Sequence, residues 1–92
     1  MIESIKHKGL KLFFEKGDSS KINQTHRKRL QLILSLLHAA VQVSDLNFPG
    51  SNLHPLKGER QNFWSINVSG NWRIIFRLEN GNVYDVDYLD YH

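Results

Sequence analysis

The sequence contains no cysteine. That excludes a disulfide framework, a thiolate nucleophile and any zinc site built on thiolates. It also lacks a long apolar run. The stretch nearest the N-terminus, residues 10–14, is interrupted by Lys11 and followed by Glu15 and Lys16. Neither a secretory leader nor a membrane span is expected, and the expected location is cytoplasmic. Proline occurs only twice, both times within residues 47–58, so strong chain breakers are confined to one stretch. Five histidines are present without any of the usual tight metal-ligand pairs, so no metal site is expected. Internal repeats and low-complexity segments are absent. What remains is 92 residues, 40% hydrophobic and 11% aromatic. That suffices for one hydrophobic core and is too apolar for a disordered chain, so a single domain over residues 1–92 is expected.

Charge is uneven. The net charge of +3 averages a basic first part, +5 over residues 1–60, and an acidic remainder, −2 over residues 61–92. The run Arg27-Lys28-Arg29 fits the solvated face of an amphipathic helix or a docking surface for a polyanion.

Hydrophobic periodicity gives the elements. Residues 2–6 read as a short strand. Lys8–Lys16 reads as a helix, with Leu10, Phe13 and Phe14 at helical spacing and Gly17 as its stop. Residues 23–42 read as the main helix, with Leu30, Ile33, Leu34, Leu37 and Val41 in one stripe. Residues 47–58 read as a loop long enough to suspect function. The period then becomes two. Phe63–Ser69, residues 72–78 and residues 83–89 read as strands joined by turns at Gly70-Asn71 and Asn80-Gly81, the latter a type I′ hairpin signal. The expected fold is α+β, with two N-terminal helices on one face of an antiparallel sheet that ends in a C-terminal meander. A strict two-residue turn at Asn80-Gly81 would set Arg77 opposite Tyr84 and Arg73 opposite Tyr88. It would also drive Asp85 and Asp87 towards the helices, a conflict that a bulge would relieve.

Some residues suit RNA cleavage without a metal. The ribose 2′-OH must lose a proton to attack phosphorus, the 5′ oxygen must gain one to leave, and the phosphorane needs fixed positive charge. Histidine suits the proton transfers, and lysine or arginine the charge. His54 and His92 with Lys57 and Arg73 supply that set. Asp90 can orient a histidine, and Tyr91 can bind a phosphate or stack on a base. The terminal carboxylate favours a charged His92, which points to His54 as base and His92 as acid or stabiliser. His7, His26 and His38 fit structural or merely exposed positions.

The chain resembles the HigB toxins of bacterial toxin–antitoxin systems, within the RelE/ParE superfamily. The resemblance rests on Lys6-His7-Lys8-Gly9-Leu10, Leu53-His54-Pro55-Leu56-Lys57-Gly58, Trp64-Ser65-Ile66-Asn67-Val68, Asn71-Trp72-Arg73-Ile74-Ile75-Phe76 and the terminal Asp90-Tyr91-His92, in that order. It implies a RelE-like small RNase fold and a ribosome-dependent endoribonuclease that cuts mRNA in the A site of the 70S ribosome and needs no cofactor. It also implies a helix-turn-helix, HigA-like antitoxin, with operator DNA met only through that antitoxin. The family's site positions correspond to His54, Lys57, Arg73, Asp90, Tyr91 and His92, on the concave side of the sheet. Lys28, Arg29 and Arg77 become candidate contacts to ribosomal RNA. Two alternatives keep the same fold: a ParE-like toxin acting on gyrase, and a non-catalytic module that binds RNA or antitoxin.

Overall fold

The computed structural model describes residues 1–91. His92, assigned above to the catalytic set, lies outside the described residues. Helix α1 spans Lys8–Lys16, as its periodicity predicts. His7 caps it: the ring Nδ1 accepts the Leu10 N–H at 3.0 Å. Gly17, at φ 71°, ends it by donating its N–H to the Phe13 carbonyl. Gly9 has a different purpose. A Cβ there would stand 2.6 Å from the Lys21 carbonyl oxygen, so only glycine lets the chain at residue 21 cross this close to α1.

Helix α2 spans Arg27–Ala39 and buries Leu30, Ile33, Leu34 and Leu37. A single 3-10 turn, Gln24–His26, precedes it, capped by the Asn23 side chain. The helix is shorter than the expected 23–42. Asp45 stops it: one carboxylate oxygen accepts the N–H groups of Val41 and Gln42, at 3.0 and 3.1 Å. Those donors would otherwise continue the helix. The chain instead enters a 3-10 turn over Val43–Leu46, and Val41, expected in the apolar stripe, is 69% exposed. The two backbone donors hold the Asp45 carboxyl below its ordinary range.

Four strands form one antiparallel sheet in the order β1-β2-β3-β4: β1 His54–Pro55, β2 Phe63–Ser69, β3 Trp72–Glu79 and β4 Asn82–Asp90. Strand β1 falls within the expected loop. It is an edge strand, where the missing proline N–H is tolerated. Hydrogen bonds from Asn67 N–H to the Ser51 carbonyl and from Leu56 N–H to the Phe63 carbonyl extend its attachment to β2. At the other edge, the expected strand over residues 2–6 is reduced to two isolated parallel bridges, Ile2 to Val83 and Ile5 to Val86. The turn between β3 and β4 has φ 51° at Asn80 and 79° at Gly81, as a type I′ hairpin requires. The core joins Leu10, the buried residues of α2 and Leu46 with Ile66, Ile74, Phe76, Val83, Val86 and Tyr88 from the sheet.

The expected pairing of Arg73 with Tyr88 is corrected. Arg77 does face Tyr84, but beyond it the ladder slips by one, pairing Ile75 with Asp87, Ile74 with Tyr88 and Arg73 with Leu89. Asp85, at φ 55°, lies within the slip. Strict alternation would have forced Asp87 into the core. The bulge turns Val86 and Tyr88 inward and returns Asp87 to the opposite face. The Asp85 N–H finds Ser4 Oγ at 2.8 Å, and its carboxylate accepts from Arg77 Nε at 3.0 Å.

Candidate active site

Of the residues chosen from sequence, the face of the sheet away from the core carries His54, Arg73 and Arg77. Cross-strand partners share a face. His54, Ser65, Ile75 and Asp87 therefore form one row, and Asn67, Arg73 and Leu89 the next. Two strand spacings across and two residues along put the His54 and Arg73 Cα atoms about 12 Å apart. Two side chains reaching inwards from those positions can flank a single phosphodiester.

The His54 ring has a defined proton arrangement. Its Nδ1 lies 2.8 Å from the Asn52 carbonyl oxygen. A carbonyl only accepts, so Nδ1 carries the proton and Nε2 of the neutral ring presents a lone pair. Asn52 reaches this geometry with φ 45°. Arg73 is fixed through Nη1, which donates to Asn67 Oδ1, the Gly70 carbonyl and the Trp72 carbonyl. Its Nε and Nη2 have no hydrogen-bond partner among the described residues. Lys57 is exposed at the start of the 3-10 turn Gly58–Arg60.

The C-terminal residues divide. The Tyr91 N–H donates to the Asn71 carbonyl at 2.7 Å. The Tyr91 hydroxyl accepts from Arg60 Nη1 at 2.9 Å, and the Arg60 guanidinium lies 5.7 Å from the ring centroid. Arg60 therefore joins the candidate cations. No local sequence signal selects it, because its contact with Tyr91 spans 31 residues. Asp90 pairs with Trp72 and follows Tyr88 at two-residue spacing. It leaves the ladder on the core side, not beside Arg73. Asn67 is a second residue visible only from register.

The candidate RNA-contacting cations also separate. Lys28 is exposed beside Arg27 in a groove of about 550 Å³ between the helices, floored by Phe13, Phe14 and Leu34. Arg29 is half-buried. Its Nη2 donates to the Gly50 and Asn67 carbonyls at 2.8 and 3.1 Å, and its guanidinium lies 5.2 Å from the Phe48 ring centroid. Arg77 is engaged by Asp85 and Glu79 and stacks over Tyr84.

A sheet face carrying the His54 imidazole and the Arg73 guanidinium suits an extended anionic polymer. Comparison with known proteins agrees. The family model for the HigB-like toxin, a RelE-like toxin of the type II toxin–antitoxin system HigB, matches residues 3–92. The chain belongs to this family. It is 47% identical to the endoribonuclease HigB of Proteus vulgaris over the whole of both chains. It is also 34% identical to an uncharacterized protein of Haemophilus influenzae, over 87% of this chain and 80% of the other. As a HigB-like toxin it has an antitoxin as partner. Among the described residues, no helix is long and apolar enough to cross a membrane.

Proposed function

We propose that this HigB-like toxin is an mRNA endoribonuclease that arrests translation by cutting mRNA in the A site of the ribosome. The observation that carries the reading is His54. With Nδ1–H held by the Asn52 carbonyl, Nε2 is the basic atom on a face shared with Arg73. In the proposed step, Nε2 takes the proton of the ribose 2′-OH as its oxygen attacks phosphorus. The phosphorane charge is met by Arg73 and Lys57. The bond to the 5′ oxygen breaks as that oxygen gains a proton, leaving a 2′,3′-cyclic phosphate and a 5′-hydroxyl. His92 is assigned the acid role, Tyr91 contacts the substrate with Arg60 behind it, and Asp90 orients the terminal histidine. No step uses a cofactor.

The net charge of +3 is modest for independent RNA capture, which supports positioning of the mRNA by ribosomal RNA. Lys28 is the proposed ribosomal contact on α2. The helix-turn-helix antitoxin, operator binding through it and the cytoplasmic setting complete the proposal, on the RelE-like fold with which the α+β architecture is compatible.

Primer extension on mRNA, with and without 70S ribosomes, tests this for wild type and His54→Ala. New 5′ ends should form only with ribosomes, and His54→Ala should lose them by about 10²–10⁴-fold in rate. Equal cleavage by folded His54→Ala refutes the base assignment. Toxicity through DNA damage with intact mRNA would favour gyrase as the target.

A further inference from the structure

Three rings lie together on the core side of the sheet, directly behind its C-terminal end. His26 and Tyr88 are only 5% and 4% exposed. The Tyr88 hydroxyl is 2.6 Å from His26 Nδ1. Trp72 lies against both, its ring centroid 4.6 Å from that of Tyr88 and 5.5 Å, edge-on, from that of His26. His7, the cap of α1, adds a fourth ring, edge-on to Tyr88 at 5.2 Å. Burial holds the Tyr88 phenol above its ordinary range; the Asn23 backbone N–H opposes this and the nearby Asp90 charge reinforces it. The hydroxyl therefore keeps its proton at neutral pH. The hydroxyl and His26 Nδ1 form one buried hydrogen bond between residues 62 positions apart in the chain.

The hydrophobic effect needs rings here but not this polar pair. A buried Tyr–His hydrogen bond specifies position, where an apolar contact would tolerate sliding. The pair binds the start of α2 to β4 two residues before Asp90. Trp72, the cross-strand partner of Asp90, is clamped in the same cluster. We propose that His26 and Tyr88 are positioning residues for Asp90: their hydrogen bond sets where the last residues of β4 leave the sheet. The proposal rests on the reading of Asp90 as part of the catalytic set.

A double-mutant cycle tests it. The kcat and KM of mRNA cleavage on programmed ribosomes are measured for wild type, Tyr88→Phe, Asp90→Asn and the double variant, with circular dichroism of each. Tyr88→Phe keeps the ring and removes only the hydroxyl. It should lower kcat roughly tenfold with KM unchanged, less than the roughly 10²-fold cost of a 1 Å misplacement because the ring stays in place. In the Asp90→Asn background the same change should alter kcat by less than about twofold, because the two act as one unit. An unchanged kcat, or an equal loss in both backgrounds, overturns the positioning role. If Asp90→Asn alone keeps full kcat, the catalytic reading of Asp90 fails and takes the proposal with it. Should Tyr88→Phe not fold, His26→Gln, from the other end of the same bond, carries the same expectations.

Discussion

Arg29 separates two roles that sequence cannot distinguish, ribosomal contact and internal brace. Its Nη2 bonds two carbonyls, Gly50 in the loop before β1 and Asn67 in β2, and its guanidinium covers Phe48. A charged donor to a neutral carbonyl contributes about 1.5 kcal/mol at the lower end, appropriate to a half-buried site. Two such bonds and a partly exposed cation–π contact, about 0.5 kcal/mol, suggest that Arg29→Ala costs roughly 2–3 kcal/mol once overlap and rehydration are allowed for. In a domain of this size that lowers Tm by on the order of 10–15 °C. Arg29→Lys is the decisive comparison. It keeps the charge but has no guanidinium plane to lie over Phe48, and its shorter side chain must bring one ammonium to both carbonyls. Thermal unfolding followed by circular dichroism should show Arg29→Lys losing at least half of what Arg29→Ala loses. Full wild-type stability in both, with mRNA cleavage abolished only in Arg29→Ala, would refute the brace and leave a purely electrostatic role.

Other outcomes follow from single contacts. Gly9→Ala places a Cβ 2.6 Å from the Lys21 carbonyl oxygen, so urea unfolding should show a loss of about 1–3 kcal/mol, despite alanine's better helix propensity. Tyr88 has a raised phenol pKa from burial. Its contribution to stability is therefore full below the unfolded value of about 10 and is lost as pH rises through the folded one. Urea unfolding at pH 8 and above pH 10 should show this loss in wild type and not in Tyr88→Phe. Asp45 has the opposite sign. Its carboxyl is lowered by the Val41 and Gln42 N–H groups, so its contribution is present above about 3.9 and is lost as pH falls through the folded value. Thermal unfolding of Asp45→Asn between pH 6 and pH 3 should show a smaller acid loss than wild type.

Local rules were readable wherever the deciding group lies near in sequence. The bounds of α1, its Gly17 stop and the Asn80-Gly81 hairpin are set by residues within a few positions. The end of α2 departs from its apolar period because Asp45, beyond the stripe, captures the N–H groups that would have extended it. The same limit applied at β1. Proline and glycine there signal a break, while pairing with β2 depends on contacts between Ser51 and Asn67 and between Leu56 and Phe63.

The sequence alone determined the chemistry available: no thiol, a basic first part, and imidazole, ammonium and guanidinium groups in segments whose order resembles one toxin family. Tertiary structure decided which of them meet. A one-residue bulge at Asp85 moved Tyr88 and Asp90 together to the core side, away from Arg73, and Asp87 to the opposite face. The physical reason is the two-residue period of a strand: a single inserted residue reverses the face of everything after it. The choice to insert one was made by long-range forces, the cost of burying Asp87 against the gain of burying Val86 and Tyr88.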